Sequence, residues 1–227
     1  MKIINTEQVQ NSLNFAELIP LLKQSFSKPF HMPQRQVHLL SPEDHSKHDA
    51  FALLPSWNEE VIGNKMFTYF PDNNAKHDLP GLFSKIMLFH RKTGEPLALV
   101  DGTSVTYWRT AAISALASQL LSREDSQHLM LFGTGNLAAY LLHAHISVRC
   151  LKKVTIWGRN AIKVQKLINE FSALYPNISF YTSLDVAQEI PHVDIICCAT
   201  GSKTPLFNGE LVSKGCHIDC LGNHMAN

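Results

Sequence analysis

The stretch His128–Arg159, HLMLFGTGNLAAYLLHAHISVRCLKKVTIWGR, decides the fold. Its apolar run Leu129–Phe132 reads as a strand and stops at Gly133-Thr134-Gly135-Asn136-Leu137-Ala138, a GxGxxA pattern. Gly133 permits the tight turn, Gly135 lets a pyrophosphate reach the backbone with no Cβ in the way, and Ala138 lets the following helix pack closely on the strand. Leu137–Ser147 reads as that helix, and its N-terminus offers unpaired N–H groups and a partial positive charge to phosphates. Val154–Trp157 reads as the next strand, completing the context this pattern needs before it signifies dinucleotide binding.

The second strand indicates which dinucleotide. An NAD site usually ends that strand with Asp or Glu, which accepts a hydrogen bond from the ribose 2′-OH. Here the strand runs into Trp157-Gly158-Arg159-Asn160, with no carboxylate. A guanidinium fork suits a 2′-phosphate that an acid would repel, so NADPH is expected, with NADH as the alternative. In the plainer reading Arg159 is a solvated charge that starts the next helix.

Downstream of residue 119 the chain alternates strands and helices, the pattern of a doubly wound parallel sheet of Rossmann type. The strands read are Leu129–Phe132, Val154–Trp157, Ile178–Tyr181, Ile195–Ala199 and His217–Leu221, with clear helices over 136–147 and 160–174. A full sheet of this kind usually has one more strand and its covering helix, so 119–227 is expected to be part of a longer polypeptide. Upstream, residues 1–118 read as an α+β domain. A short strand at Lys2–Ile4 precedes a helix whose apolar positions Phe15, Leu18, Ile19, Leu22 and Phe26 recur at helical spacing. The next segment is cut by Pro33, Pro42 and Pro55 and reads as short strands and turns. "VIGNKMFTYFPDN" and "FSKIMLFHRKTGEPLALVDG" read as strands, the latter a hairpin turning at Thr93-Gly94, and imply an antiparallel sheet. "TSVTYWRTAAISALASQLLS" reads as a helix rich in Ala and Ser.

The bulk numbers bound the function. The 227 residues carry a formal charge of +1 and are 45% hydrophobic, ordinary for a soluble globular protein. No Lys/Arg run offers a surface for nucleic acid or an anionic membrane, and no segment reaches membrane-spanning or signal-peptide length. A cytoplasmic location is the resulting expectation. The cysteines, Cys150, Cys197, Cys198, Cys216 and Cys220, are odd in number and unpatterned, which suits reduced thiols. Cys216, His217 and Cys220 alternate along a strand with no second pair, so no metal site is expected.

Three basic residues of the first domain sit among apolar or small neighbours. Arg109 heads "RTAAISALAS", where it can present a bidentate fork to a carboxylate. Lys65, in "GNKMFTYF", is a compact donor suited to proton work, and Arg35 lies in "MPQRQV". Taken singly, each also reads as an ordinary surface cation. His224 follows the last strand, at the carboxyl end of the sheet where ligands of such folds bind.

"GNKMFTYFPDN", "TGEPLALVDGTSVTYWRTAAISALAS", "FGTGNLA", "VTIWGRN", "CATGS" and "GCHIDCLGN", in this order, resemble the ornithine cyclodeaminase and mu-crystallin family. The resemblance implies a substrate-binding and dimerisation domain followed by a Rossmann domain, a small imino or amino acid as substrate, homodimers, and chains that run on beyond this one. It implies that Arg35 and Arg109 hold the substrate carboxylate and that Lys65 lies beside the reacting carbon–nitrogen bond. It also implies cofactor contacts from Thr110, the turn residues Gly133, Thr134, Gly135, Asn136 and Leu137, and Arg159, Asn160, Thr200 and Leu221. Ornithine cyclodeaminases carry an Asp where this chain has His224, and NAD-using ones an acid where it has Arg159. Both departures point to the imine-reducing branch, similar to Δ1-pyrroline-2-carboxylate and Δ1-piperideine-2-carboxylate reductases, with Lys65 and His224 serving the proton. An ornithine cyclodeaminase, an amino-acid dehydrogenase and a non-catalytic NADP-binding protein remain as alternatives.

Overall fold

A computed structural model describes residues 1–44 and 48–222. The chain divides into two compact units, one made of Met1–Asn14 and Lys23–Thr106, the other of Phe15–Leu22 and Tyr107–Asn227. The division thus falls at Thr106/Tyr107, ahead of the 118/119 boundary read from the sequence. The reason is visible in the core: Ala111, Ala112 and Ala115 are fully buried and pack with the parallel sheet that follows.

The first unit is built on a six-stranded sheet. Its strands are β1 (Lys2–Ile4), β2 (Gln36–Leu39), β3 (Ala50–Trp57), β4 (Val61–Tyr69), β5 (Leu82–His90) and β6 (Pro96–Asp101), in the order β1-β6-β5-β4-β3-β2. β1 runs parallel to β6, and the remaining pairs are antiparallel. The β5–β6 hairpin turns through Gly94, whose φ of 71° is one that L side chains rarely adopt. Helix α1 (Thr6–Ser12) was not expected from apolar spacing. A reciprocal cap starts it, in which Gln8 N donates to Asn5 Oδ1 at 2.9 Å and Asn5 N donates to Gln8 Oε1 at 2.9 Å. Helix α2 (Phe15–Phe26) follows the predicted period, and α3 (Asn73–His77) is a single short turn of helix.

Pro55 does not break its strand, contrary to the reading of that segment as short pieces. In β3 the Trp57 N–H donates toward His31 O at 2.9 Å, and Pro55, two residues earlier, directs its nitrogen to the same side. β2 has stopped pairing at Leu53, so no ladder hydrogen bond is lost there.

Helix α4 (Gly102–Leu121) follows β6 directly. Asp101 caps its start by accepting from Ser104 N at 2.9 Å and Ser104 Oγ at 2.7 Å, and Lys85 Nζ donates to the same carboxylate at 2.9 Å. At the far end the guanidinium of Arg149 donates to the carbonyls of Ser118, Gln119 and Ser122 at 2.9–3.1 Å, tying the last turn of the helix to the residue that follows α5.

The second unit holds five parallel strands: β7 (His128–Phe132), β8 (Lys153–Trp157), β9 (Ser179–Thr182), β10 (Ile195–Cys198) and β11 (His217–Cys220). Their order, β11-β10-β7-β8-β9, is doubly wound, with the chain reversing direction of travel between β7 and β10. Helices α5 (Ala138–Val148) and α6 (Ala161–Leu174) fall where expected, and α7 (Val186–Glu189) is one additional turn. One face of the sheet buries Leu129, Leu131, Val154, Ile156, Ile195 and Cys197 against α4, α5 and α6. The other buries Met130, Phe132, Ile196 and Cys198 against Ile190, Val193 and Phe207. Burial on both faces explains why these strands read as continuous apolar runs.

Candidate functional site

In the second unit a cleft of about 560 Å³ opens at the carboxyl ends of β7, β8 and β10, where the strand order reverses. Ligands of open α/β sheets bind at that switch point. The GxGxxA turn forms its floor. Gly133 has φ 117°, and a Cβ there would stand 2.4 Å from Ala199 O, so this position admits only glycine. A Cβ at Gly135 would meet no atom within 4 Å, which leaves the backbone open to the cleft. α5 then starts at Ala138, which is 1% exposed against the sheet. Asn136 Nδ2 donates to Tyr107 OH at 3.2 Å, tying the turn to α4.

Arg159, Asn160 and Lys163 line the same cleft at the end of β8. Asn160 commits its side-chain oxygen to the α6 cap, accepting from Lys163 N at 3.1 Å. Among the described residues, the side chains of Arg159 and Lys163 have no ion pair and no carboxylate lines the cleft. Lys163 was missed from the sequence, since a lysine in the first turn of a helix carries no signal of its own. Thr200 borders the cleft, and Leu221 N donates to Cys198 O at 2.8 Å, which closes the end of β11 beside it. Thr110 and Arg109 lie on α4 in this unit; Thr110 is half-buried, and Arg109 is exposed without an ion pair among the described residues. Its surroundings still desolvate the guanidinium enough to lower its pKa.

In the first unit Lys65 projects from β4 into a hollow of about 340 Å³ whose other walls include Leu54, Val61, Ile86 and Leu88. Its Nζ donates to Thr106 Oγ1 at 2.6 Å, Thr106 Oγ1 donates to Gly102 O at 2.6 Å, and the ammonium stands 5.9 Å from the Phe67 ring centre. The Lys65 ammonium thus stands in a hollow walled largely by apolar side chains. Arg35 is exposed just ahead of β2, also without an ion pair among the described residues. His224 lies outside the described residues.

The second unit also contains a polar cluster that sequence reading did not find. Ser114 on α4 donates its hydroxyl to Asp219 Oδ2 on β11, and its oxygen lies 3.0 Å from His145 Nε2 on α5 and 3.9 Å from Cys197 Sγ on β10. Sequence separations of 31 and 105 residues hide this set, since no short motif spans it. His145, Cys197 and Asp219 have the donor types of a metal site, but the Ser114 hydroxyl already engages His145 and Asp219. Burial also pushes the Cys197 thiol well up, as befits a small core residue.

Complete burial, reinforced by His217 and Arg149, pushes His145 down to about 3. An unfolded histidine titrates near 6.5. Between these values the folded protein binds fewer protons than the unfolded chain, so this contribution is complete above pH 6.5 and is lost as pH falls toward 3. At pH 5 it should cost about 2 kcal/mol. Urea unfolding at pH 7 and pH 5 measures it; His145→Gln should flatten the difference, and a variant retaining the full slope would show that other groups cause it.

The ornithine cyclodeaminase/mu-crystallin family model matches residues 1–227. The Delta(1)-pyrroline-2-carboxylate reductase of Colwellia psychrerythraea is 76% identical over 227 residues, which are 100% of this chain and 72% of that protein. Protein SAR DEFICIENT 4 of Arabidopsis thaliana is 38% identical over 198 residues, 84% of this chain and 59% of that protein. Among solved structures, the Thermococcus litoralis Delta(1)-pyrroline-2-carboxylate reductase in complex with NADH and L-proline superposes with a TM-score of 0.86 at 26% identity, covering 98% of this chain and 69% of that one.

Proposed function

Because this chain belongs to the ornithine cyclodeaminase/mu-crystallin family, we propose that it is a cyclic-imine reductase that converts Δ1-pyrroline-2-carboxylate to L-proline with NADPH. The observation that carries the reading is the 76% identity over 227 residues to the Delta(1)-pyrroline-2-carboxylate reductase of Colwellia psychrerythraea. Δ1-piperideine-2-carboxylate, one methylene larger, is the second substrate we assign, with L-pipecolate as its product.

The turn at Gly133–Leu137 would hold the pyrophosphate, and Arg159 with Lys163 would hold a 2′-phosphate, since two cations facing a cleft without carboxylates favour the extra charge. When bound, the nicotinamide would supply the hydride that C2 of the imine accepts. Arg109 would grip the substrate carboxylate, converting binding energy into orientation of C2, and Arg35 is a second candidate for that carboxylate. Lys65, or a water it holds, keeps the imine nitrogen protonated, because an iminium accepts hydride far better than a neutral imine. The C=N electron pair then passes to nitrogen, and the product is a secondary amine.

The working unit we assign is a homodimer. On one face of the first unit's sheet Phe51, Leu53, Ile62, Met66, Met87 and Phe89 share a side by register, and none of them is buried. A second copy is the partner that such an apolar face suits.

The test is NADPH consumption by the intact protein with each cyclic imine, with the mass in solution measured alongside. Stoichiometric L-proline and a two-chain mass are expected. Proline formed from ornithine without added reductant would assign a cyclodeaminase instead, and NADPH binding without turnover of any imine would assign a carrier.

A further inference from the structure

The contact surface of α4 in the second unit is made largely of small residues. Ala111, Ala112, Ala115 and Ser118 are fully buried, and Ser114 is nearly so. Such a surface lets a helix approach a sheet closely, with Leu116 and Trp108 as the large side chains that pack beside it. The polar cluster adds directional contacts, which apolar packing does not supply. Ser114 gives its proton to Asp219, so its oxygen is left to accept the Nε2–H of His145. That assigns the His145 tautomer and leaves Nδ1 as a buried lone pair with no partner among the described residues. Burying a hydroxyl and an imidazole is costly unless they are bonded, and an alanine with an apolar neighbour would fill the same space without that cost.

We infer that Ser114, Asp219 and His145 are positioning residues that set the rotation and depth of α4 against β11 for the proposed reaction. Ser114 and Arg109 are five residues apart, so their side chains diverge by about 140° around the helix axis. Ser114 faces the sheet and Arg109 faces outward. Asp219 stands two residues before Leu221 near the end of β11, and Cys220 and Gly222 line a hollow that shares Thr200, Ser202 and Leu206 with the cofactor cleft. One hydroxyl therefore joins the helix carrying the carboxylate-binding guanidinium to the strand that ends beside the cofactor. A misplacement of about 1 Å between reacting groups can cost on the order of a hundredfold in rate.

This inference rests on the reductase reading. Its test is steady-state kinetics of Ser114→Ala, Asp219→Leu, the double variant and Asp219→Asn in the intact protein, with NADPH titration and thermal melts. Ser114→Ala should lower kcat about tenfold and raise the imine KM by a similar factor, with the NADPH Kd within about twofold of the parent. Asp219→Leu should match it, the double variant should be no worse than either single one, and Asp219→Asn, which keeps an acceptor for the Ser114 proton, should retain most activity. The inference is overturned if Ser114→Ala keeps parental kcat and KM, if the two single effects multiply in the double variant, or if the NADPH Kd deteriorates in step with kcat. A parent protein that turns over no imine removes the reductase reading and this inference with it; an active parent with unaffected variants removes the inference alone.

Discussion

Arg109→Ala should lower kcat/KM for Δ1-pyrroline-2-carboxylate by two to four orders of magnitude while leaving the melting temperature nearly unchanged. A guanidinium holding a carboxylate through two charge-assisted hydrogen bonds contributes roughly 1.5–3 kcal/mol per bond, and each 1.4 kcal/mol is about a factor of ten. Arg109 carries no ion pair among the described residues and is exposed on α4, so its removal strips little from the folded chain. The combination of a large kinetic loss and a small thermal one separates a ligand-binding arginine from a structural one. Arg109→Lys should recover only part of the activity, because a point charge cannot reproduce the planar fork. Parental kinetics in Arg109→Ala would take this residue out of the site.

Arg159→Ala should weaken NADPH binding by about 10- to 100-fold and change the NADH Kd by less than about threefold, since the contact proposed for Arg159 is a charge-assisted hydrogen bond to the 2′-phosphate alone. Lys163→Ala should produce a smaller loss in the same direction, and the two together should bring the two cofactors to similar affinity. Both side chains line the cleft unpaired among the described residues, so neither substitution leaves an orphaned partner. Fluorescence titration of each variant with both cofactors measures this directly. Equal losses for NADPH and NADH in Arg159→Ala would mean that the guanidinium meets a part common to both molecules.

The parallel sheet was legible in the sequence because its signals are local. Leu129–Phe132, Gly133, Gly135 and Ala138 fall within ten residues, and each has one physical task. The antiparallel half was less legible. Pro55 looked like a breaker, and only the pairing of β3 with its neighbours shows that its missing N–H costs nothing there. α1 escaped notice because seven residues with one buried position, Val9, carry no period, and its reciprocal cap is its clearest mark. The candidate site divided along the same line. The residues of the glycine turn and the end of β8 were readable, whereas Ser114, His145 and Asp219 meet only after α4, α5 and β11 assemble. Lys85 and Asp101, joined between β5 and β6, were equally invisible as a pair.

All five residues of β7 are buried, and the strand lies between β10 and β8 at the centre of its sheet. Amides in such a position exchange with solvent through the largest opening events rather than through local fraying. The turn that begins at Gly133 therefore emerges from a fully buried, interior strand of its unit. A phosphate bound there, as proposed, would meet backbone donors already in place, and the entropy of ordering a loop would not have to be subtracted from its affinity.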